Sequence, residues 1–149
     1  MSELRELYQT VILDHNRSPR NRGPLAGANR HAEGHNPLCG DHVVVHARVA
    51  DDRVEAAGFE GRGCAISTAS ASLMTEAVRG RSSAEVEKLF EAFHRLVTSD
   101  PTREPPVGSL GKLAVFAGVR EFPLRVKCAT LCWHALQAAL DGRLEVSTE

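Results

Sequence analysis

The chain has 149 residues, of which 42% are hydrophobic and 25% charged, and its formal net charge is -1 at pH 7. This length and composition predict one globular domain over residues 1–149, with a core that needs no disulfide support. The scattered Lys and Arg argue against a nucleic-acid partner, and no segment approaches the roughly 18 apolar residues of a membrane span. The opening "MSELRELYQ" lacks the apolar core of a secretory signal, so we expect a cytoplasmic protein.

The first half of the chain predicts a helix followed by strands. Apolar residues at helical spacing predict a helix over 4–15, and the Pro and Gly residues of "NRSPRNRGPL" end it. A long loop over 16–30 follows, with a short strand near 29–33. Alternating apolar and polar residues over 43–49 predict a half-buried strand, which "ADDR" connects to a second strand over about 54–60.

The second half predicts four helices. Ser82 and Glu85 form a capping box before one of them, Pro123 can begin the last, and Gly142 can end it. The predicted helices cover residues 66–78, 86–97, 110–116 and 123–141. Strands joined by a short hairpin and followed by helices indicate an α+β fold. We expect a small antiparallel sheet of two to three strands, with about five helices packed on one face.

The chain has four cysteines, at positions 39, 64, 128 and 132, and none of them forms a CxxC pair. In a reducing compartment they are better candidates for metal binding or catalysis than for disulfides. Cys39, Cys64 and Cys128 lie where the predicted structure changes type, and helix N-termini stabilise thiolates. Spacing alone leaves two interpretations open, a shared site and unrelated thiols.

Four stretches of the sequence resemble the IscU/NifU-type iron–sulfur assembly family. They are "LYQTVILDHNRSPRNRGPL", "GHNPLCGD", "FEGRGCAIS" and "FPLRVKCATLCW", and the similarity runs over about 4–140. The resemblance implies an α+β fold with one metal-binding pocket. It maps the ligand set of the family onto Cys39, Asp41, Cys64 and Cys128.

Two features favour the SufU branch of that family over the scaffold branch. The scaffold branch has a histidine directly before its last ligand cysteine, whereas this chain has Lys127 there. The stretch over about 98–122 is similar to the insertion of the SufU branch. This resemblance implies a zinc-dependent sulfurtransferase that works with a SufS-type cysteine desulfurase and passes sulfur to a downstream iron–sulfur scaffold.

Three thiolates and a carboxylate form a ligand set suited to Zn²⁺, and Asp41 is the hard ligand among soft ones. We expect Asp41 to make the site exchangeable and Cys39, in a loop beside Gly40, to accept persulfide sulfur. Four anions around a dication leave an excess of negative charge. Arg125 is a candidate residue to compensate it.

Two other functions stay open. A cluster scaffold would use the same ligands to hold a transient [2Fe–2S] cluster, and a structural zinc protein would serve only to bind partners. Cys132 follows Cys128 by one helical turn and is predicted to pack in the core. His42 and His46 alternate along a predicted strand, and their spacing fits an exposed polar face.

Overall fold

The protein is built on a four-stranded mixed sheet, seen in a computed structural model that describes residues 2–38 and 40–147. The strand order is β3-β2-β1-β4; β1 pairs antiparallel with β2, β2 pairs antiparallel with β3, and β4 pairs parallel with β1. The strands are β1 (Arg30–Asn36), β2 (Asp41–Ala50), β3 (Arg53–Arg62) and β4 (Glu145–Ser147).

Five helices accompany the sheet in the described part of the chain. They are α1 (Ser2–Arg17), α2 (Ala65–Ala77), α3 (Ser83–Val97), a 3-10 helix (Gly111–Glu121) and α4 (Pro123–Leu140). Ser82 and Glu85 form the predicted capping box at the start of α3. Over residues 2–38 and 40–147, no helix combines the length and apolar character needed to cross a membrane.

The sheet has one buried face because polar and apolar residues alternate along its strands. On β2, Val43, Val45 and Ala47 are buried, while the residues between them are half-exposed. Helix α4 lies over this buried face and contacts β1 and β2. The approach is close at Gly34, where an added Cβ would lie 3.0 Å from the Leu131 side chain. A Cβ at this position would already crowd α4, so the helix can pack this close to β1 because position 34 has no side chain.

The core lies between the buried face of the sheet and the helices. Its largest fully buried side chains include Trp133 of α4, Phe93 of α3 and Phe116 of the 3-10 helix. The Trp133 and Phe93 rings stack with centroids 5.2 Å apart, and Phe116 meets Phe93 edge-on at 5.7 Å. Aromatic contacts therefore join three of the helices into one packed layer.

The structure confirms the predicted α+β class. The sheet differs from the expected one by a fourth strand, β4, which pairs in parallel with β1. Gly142, with φ +80°, ends α4 in the left-handed conformation. The chain then returns to place β4 parallel to β1. This strand has three residues and a mostly exposed pattern, so its sequence lacks the alternation that identified the others. The helix predicted over 110–116 extends to Glu121 in 3-10 form.

A buried histidine joins α1 to α2. His15 is only 3% exposed, and its Nδ1 lies 2.7 Å from the Ser72 Oγ. The Ser72 Oγ also accepts a hydrogen bond from the Arg20 amide at 2.8 Å. A neutral imidazole completes this series of hydrogen bonds, because its Nδ1 can accept a hydrogen bond from the Ser72 hydroxyl. Burial lowers the pKa of His15, and the positive charge of Arg20 lowers it further.

We predict that protonation of His15 destabilises the fold. Because the folded-state pKa lies below the ordinary value of 6.5, unfolding takes up a proton as the pH falls below 6.5. The stability contributed by neutral His15 is therefore fully present above that pH and is lost as the pH falls toward the folded pKa.

Urea unfolding of the wild type and of His15→Asn at a series of pH values measures this effect. His134, whose pKa is lowered mainly by burial, acts in both proteins. A pH slope that His15→Asn leaves unchanged would contradict the prediction.

Candidate metal centre

The candidate centre is built where β2 and α2 begin. Asp41 is the first residue of β2 and is only 4% exposed, and Cys64 is the N-cap of α2. The Asp41 Oδ1 accepts a hydrogen bond from the Cys64 amide at 3.1 Å. A carboxylate is favoured at this position because the first amides of a helix have no partner within the helix and carry partial positive charge.

Two glycines let the chain bring these residues together. Gly61 has φ +123°, and a Cβ there would overlap the His42 carbonyl. A Cβ on Gly63 would lie 2.9 Å from the Ser67 Oγ and 3.0 Å from the Asp41 Oδ1. A Cβ at position 63 would therefore crowd the Ser67 hydroxyl and the Asp41 carboxylate, and at least one of them would have to shift. Gly63 and Ser67 shape the site, yet nothing in the spacing of "GRGCAIS" identifies them before the contact with Asp41 is known.

Helix α4 brings a third donor to this point. Cys128 is 1% exposed, and its sulfur, the Cys64 sulfur and an Asp41 carboxylate oxygen all lie within 4.8 Å of one another. Cys64 is half-buried. The structure thus brings together three of the four residues that the family resemblance proposed as metal ligands.

The donor set and its spacing fit Zn²⁺. Zinc binds thiolate sulfur at about 2.3 Å and carboxylate oxygen at about 2.1 Å, so two such ligands of a tetrahedral ion lie about 3.6 Å apart. The Cys64 Sγ and the Asp41 Oδ2 are 3.9 Å apart. A shift of a few tenths of an ångström would bring them to that separation.

Cys39, the fourth predicted ligand and the predicted sulfur acceptor, lies outside the described residues. Its neighbours in sequence belong to the connection between β1 and β2. Gly40 has φ +73°, and its amide donates to the Asn36 carbonyl at 2.9 Å. The Leu38 amide donates to the Asn36 side chain at 3.3 Å. The left-handed conformation at Gly40 fits the tight turn that the sequence predicted there.

Arg125 lies beside the two described thiols. It is exposed, in the first turn of α4, one turn before Cys128. The pKa of its guanidinium is raised, first by the charge of Cys64 and its hydrogen bond to Cys64, and then by the same interactions with Cys128. The structure therefore places a permanent cation at the edge of the cluster.

Cys132 lies in the core, apart from this group. It is 1% exposed, and its sulfur lies 3.5 Å from the Ser70 Oγ. Burial raises the pKa of the Cys132 thiol to about 12, so the thiol stays protonated at neutral pH.

Large apolar side chains are exposed in the segments that carry the candidate ligands. Leu38 precedes Cys39 and is 63% exposed, and Phe122 and Leu124, at the start of α4, are 59% and 66% exposed. Exposed large apolar side chains in segments that carry a polar site are consistent with a protein-binding surface.

A family model described as the NifU-like N terminal domain matches residues 7–140. The chain belongs to this family. The match confirms the IscU/NifU-type resemblance that the four sequence stretches carry.

Relatives of the chain in the NifU-like family include proteins named as cluster assembly scaffolds and one named as a zinc-dependent sulfurtransferase. The iron–sulfur cluster assembly scaffold protein IscU of Streptococcus pyogenes is 39% identical, over 94% of this chain and 86% of that protein. The zinc-dependent sulfurtransferase SufU of Bacillus subtilis is also 39% identical, over 91% of this chain and 90% of that protein. A crystal structure from Fervidobacterium islandicum, described as a scaffold protein for the SUF system, superimposes with a TM-score of 0.79 at 32% identity, over 87% of this chain and 93% of that one.

We predict that Cys64 is needed for zinc binding and that Cys132 is not. Cys64→Ala removes a thiol from the cluster while leaving the backbone hydrogen bond to Asp41 in place, so we expect a folded protein that has lost stoichiometric zinc. Cys132→Ala leaves the cluster intact and creates a small cavity, so we expect full zinc content and a stability loss of about 1 kcal/mol. Elemental analysis and thermal unfolding of both variants provide the measurements. Loss of zinc from Cys132→Ala would contradict this assignment.

Proposed function

We propose that this protein is a zinc-dependent sulfurtransferase of iron–sulfur cluster biogenesis, which accepts persulfide sulfur from a SufS-type cysteine desulfurase. The observation that carries the proposal is the meeting of the Asp41 carboxylate with the thiols of Cys64 and Cys128. A mixed site of thiolates and one carboxylate is less soft than a four-cysteine structural site, so we expect it to hold zinc less tightly and to let one ligand exchange.

In this proposal Asp41, Cys64 and Cys128 hold the zinc together with Cys39, which lies two residues before Asp41 in sequence. Zinc, when bound, keeps its thiol ligands deprotonated at neutral pH. Asp41 is held in place by the Cys64 amide at 3.1 Å independently of the thiols. The protein frame of the site therefore does not depend on every thiol being bound at the same time.

Cys39 is the sulfur acceptor in this proposal because a partner must reach the attacking sulfur. Cys128 is 1% exposed and Cys64 is half-buried, so neither is open to a partner. The Cys39 thiolate attacks the outer sulfur of the desulfurase persulfide. The bond between the two desulfurase sulfurs breaks, the desulfurase cysteine leaves as a thiolate, and Cys39 carries the new persulfide. The exchange needs no external oxidant or reductant.

Arg125 has a supporting role in the proposal. Three thiolates and a carboxylate exceed the charge of one dication by two, and the Arg125 guanidinium interacts with two of those thiols. Arg125 then lowers the electrostatic cost of holding the anions together. It also gives an approaching anionic persulfide a favourable local charge.

The exposed side chains of Leu38, Phe122 and Leu124 offer a surface for the desulfurase next to the acceptor segment. An apolar surface at this position would bring the desulfurase persulfide to Cys39. A downstream iron–sulfur scaffold would receive the sulfur from the same face.

A cluster scaffold is the second candidate, because an IscU relative and the SufU relative are equally similar to this chain. Lys127 bears on the choice between the two functions, because the scaffold branch of the family has a histidine at this position. It is half-buried and directly precedes Cys128. An ammonium group cannot take the place of a histidine nitrogen as a ligand, which favours sulfur transfer over cluster retention.

We predict that Cys39→Ser abolishes sulfur acceptance. The serine hydroxyl lacks the nucleophilic sulfur, so we expect no stimulation of a purified SufS-type desulfurase and no mass gain of one sulfur atom on the peptide carrying position 39. The measurements are desulfurase turnover and mass spectrometry of alkylated peptides. Cys132→Ser is the matched control and should behave as the wild type, because its side chain is buried away from the cluster.

Two outcomes would contradict the proposal. One is a Cys39→Ser variant that stimulates the desulfurase like the parent. The other is a wild-type protein that shows no stimulation but assembles a stable cluster with ferrous iron and sulfide and transfers it to an acceptor, which would favour the scaffold.

We predict that Arg125 tunes the site through charge. Arg125→Ala should lower zinc affinity and the rate of sulfur transfer, while Arg125→Lys, which keeps the charge, should retain most of both. A zinc-chelator competition and a persulfide-transfer assay measure the two effects. Equal loss in both variants would mean that the shape of the guanidinium matters instead, and no loss in either would remove Arg125 from the site. Arg95→Ala, at an exposed position on α3, is the control for a general loss of positive charge.

A further inference from the structure

The outer face of the sheet carries a row of histidines and carboxylates, opposite the buried thiols. The antiparallel register of β1 and β2 places His35 across from His42 and His31 across from His46. Glutamates flank these pairs on the same face. The six residues are His31, Glu33, His35, His42, His46 and Glu60.

Three of these residues converge on one point. The Glu33 Oε2 lies 3.5 Å from the His35 Nε2 and 3.4 Å from the His42 Nε2. One donor atom from each residue lies within 4.8 Å of the other two. The paired strands hold all three backbone positions, so the sheet preorganises the group.

The two Glu33 contacts are ion pairs by distance, and the one to His42 is a long hydrogen bond, but both distances also suit two ligands of one metal ion. Strong N–H···O bonds join atoms about 2.7–3.2 Å apart, and both contacts of Glu33 exceed this range. Zinc binds imidazole nitrogen and carboxylate oxygen at about 2.0–2.1 Å, so two such ligands of a tetrahedral ion lie about 3.4 Å apart. The carboxylate therefore stands from each imidazole at the separation that a shared cation would set.

The neighbouring histidine pair shows the contrast. The His46 Nδ1 lies 2.7 Å from the His31 Nδ1, and the His46 Nε2 lies 2.7 Å from the Glu60 Oε2. Both are short hydrogen bonds, and together they occupy both ring nitrogens of His46. The His31–His46 pair therefore makes short hydrogen bonds, whereas the contacts that join Glu33 to His35 and His42 are longer, at 3.5 and 3.4 Å.

We propose that Glu33, His35 and His42 form a second metal site, which binds a divalent cation of the zinc class. Imidazole with carboxylate suits Zn²⁺ and neighbouring transition metals, whereas Ca²⁺ and Mg²⁺ prefer oxygen ligands alone. Three protein ligands leave one tetrahedral position for water. The three side chains are between 34% and 50% exposed, so this cation exchanges with solvent.

The second site is separate from the thiol cluster although His42 follows Asp41 in the chain. Successive residues of a strand point to opposite faces, so Asp41 is buried and His42 is half-exposed. The ligand types differ as well. Exposure and the lack of thiolates make the outer site the weaker of the two.

The test is zinc titration of untagged protein that already carries its first equivalent of zinc. Calorimetry in the presence of a weak competing chelator should show a second equivalent. His35→Gln and Glu33→Gln should each weaken this second step by at least about tenfold and leave the first equivalent in place. His94→Gln, an exposed histidine on α3, is the matched control and should titrate as the wild type.

Nuclear magnetic resonance of the histidine rings tests the assignment directly. The second equivalent of zinc should shift the ring signals of His35 and His42 more than those of His31 and His46. The proposal is overturned if no second equivalent binds, if His35→Gln and Glu33→Gln titrate as the wild type does, or if the shifts concentrate on His31 and His46. Zinc at the thiols and sulfur transfer are measured separately, so failure here leaves the proposed function standing.

Discussion

The hydrogen bond from the Cys64 amide to the Asp41 carboxylate is the constraint on which the site depends. It joins the start of β2 to the start of α2, two points 23 residues apart in sequence. A buried carboxylate needs hydrogen-bond partners, and the N-terminus of a helix supplies one together with a favourable dipole. The bond in turn fixes Cys64 at the N-cap and requires a residue without a side chain at Gly63. Cys128 then meets this pair because α4 packs across the same face of the sheet.

Strand β2 gives the molecule two chemically different faces. Its inward residues begin with Asp41 and continue as aliphatic core, while its outward residues include His42 and His46. Soft sulfur donors therefore lie in a site closed by helices, and imidazoles lie on a surface open to water. The period of two along the strand keeps the two sets of donors apart even where they are adjacent in sequence. One strand can in this way carry donors of both proposed sites without mixing their ligands.

Local sequence patterns predicted most of the helices and strands. They could not predict which residues meet across the sheet. The capping box of Ser82 and Glu85 and the start of α4 at Pro123 are local, and both are present as predicted.

Strand β4 was missed because three mostly exposed residues carry no periodicity. The meeting of Asp41, Cys64 and Cys128 was anticipated only through family resemblance, since spacing left both a shared site and unrelated thiols open. Likewise, the alternation of His42 and His46 indicated an exposed face, but only the register of β1 with β2 sets His35 opposite His42. The sequence predicted a helix end at position 15, but no local pattern shows that contact with Ser72 buries His15 and favours its neutral form.

The two oxygens of Asp41 explain why a carboxylate suits this position better than a fourth thiol. The Oδ1 is held by the Cys64 amide, while the Oδ2 faces the Cys64 sulfur at 3.9 Å. One side chain can thus anchor the helix and offer a ligand atom at the same time. A thiolate has a single donor atom, so an amide and a metal would have to share the same sulfur. With a carboxylate, the atom that accepts the amide hydrogen bond and the atom that faces the metal are different, so exchange at the metal need not disturb the joint between β2 and α2. This separation is consistent with the proposed sulfur transfer, in which a partner displaces one ligand while the frame of the site stays in place.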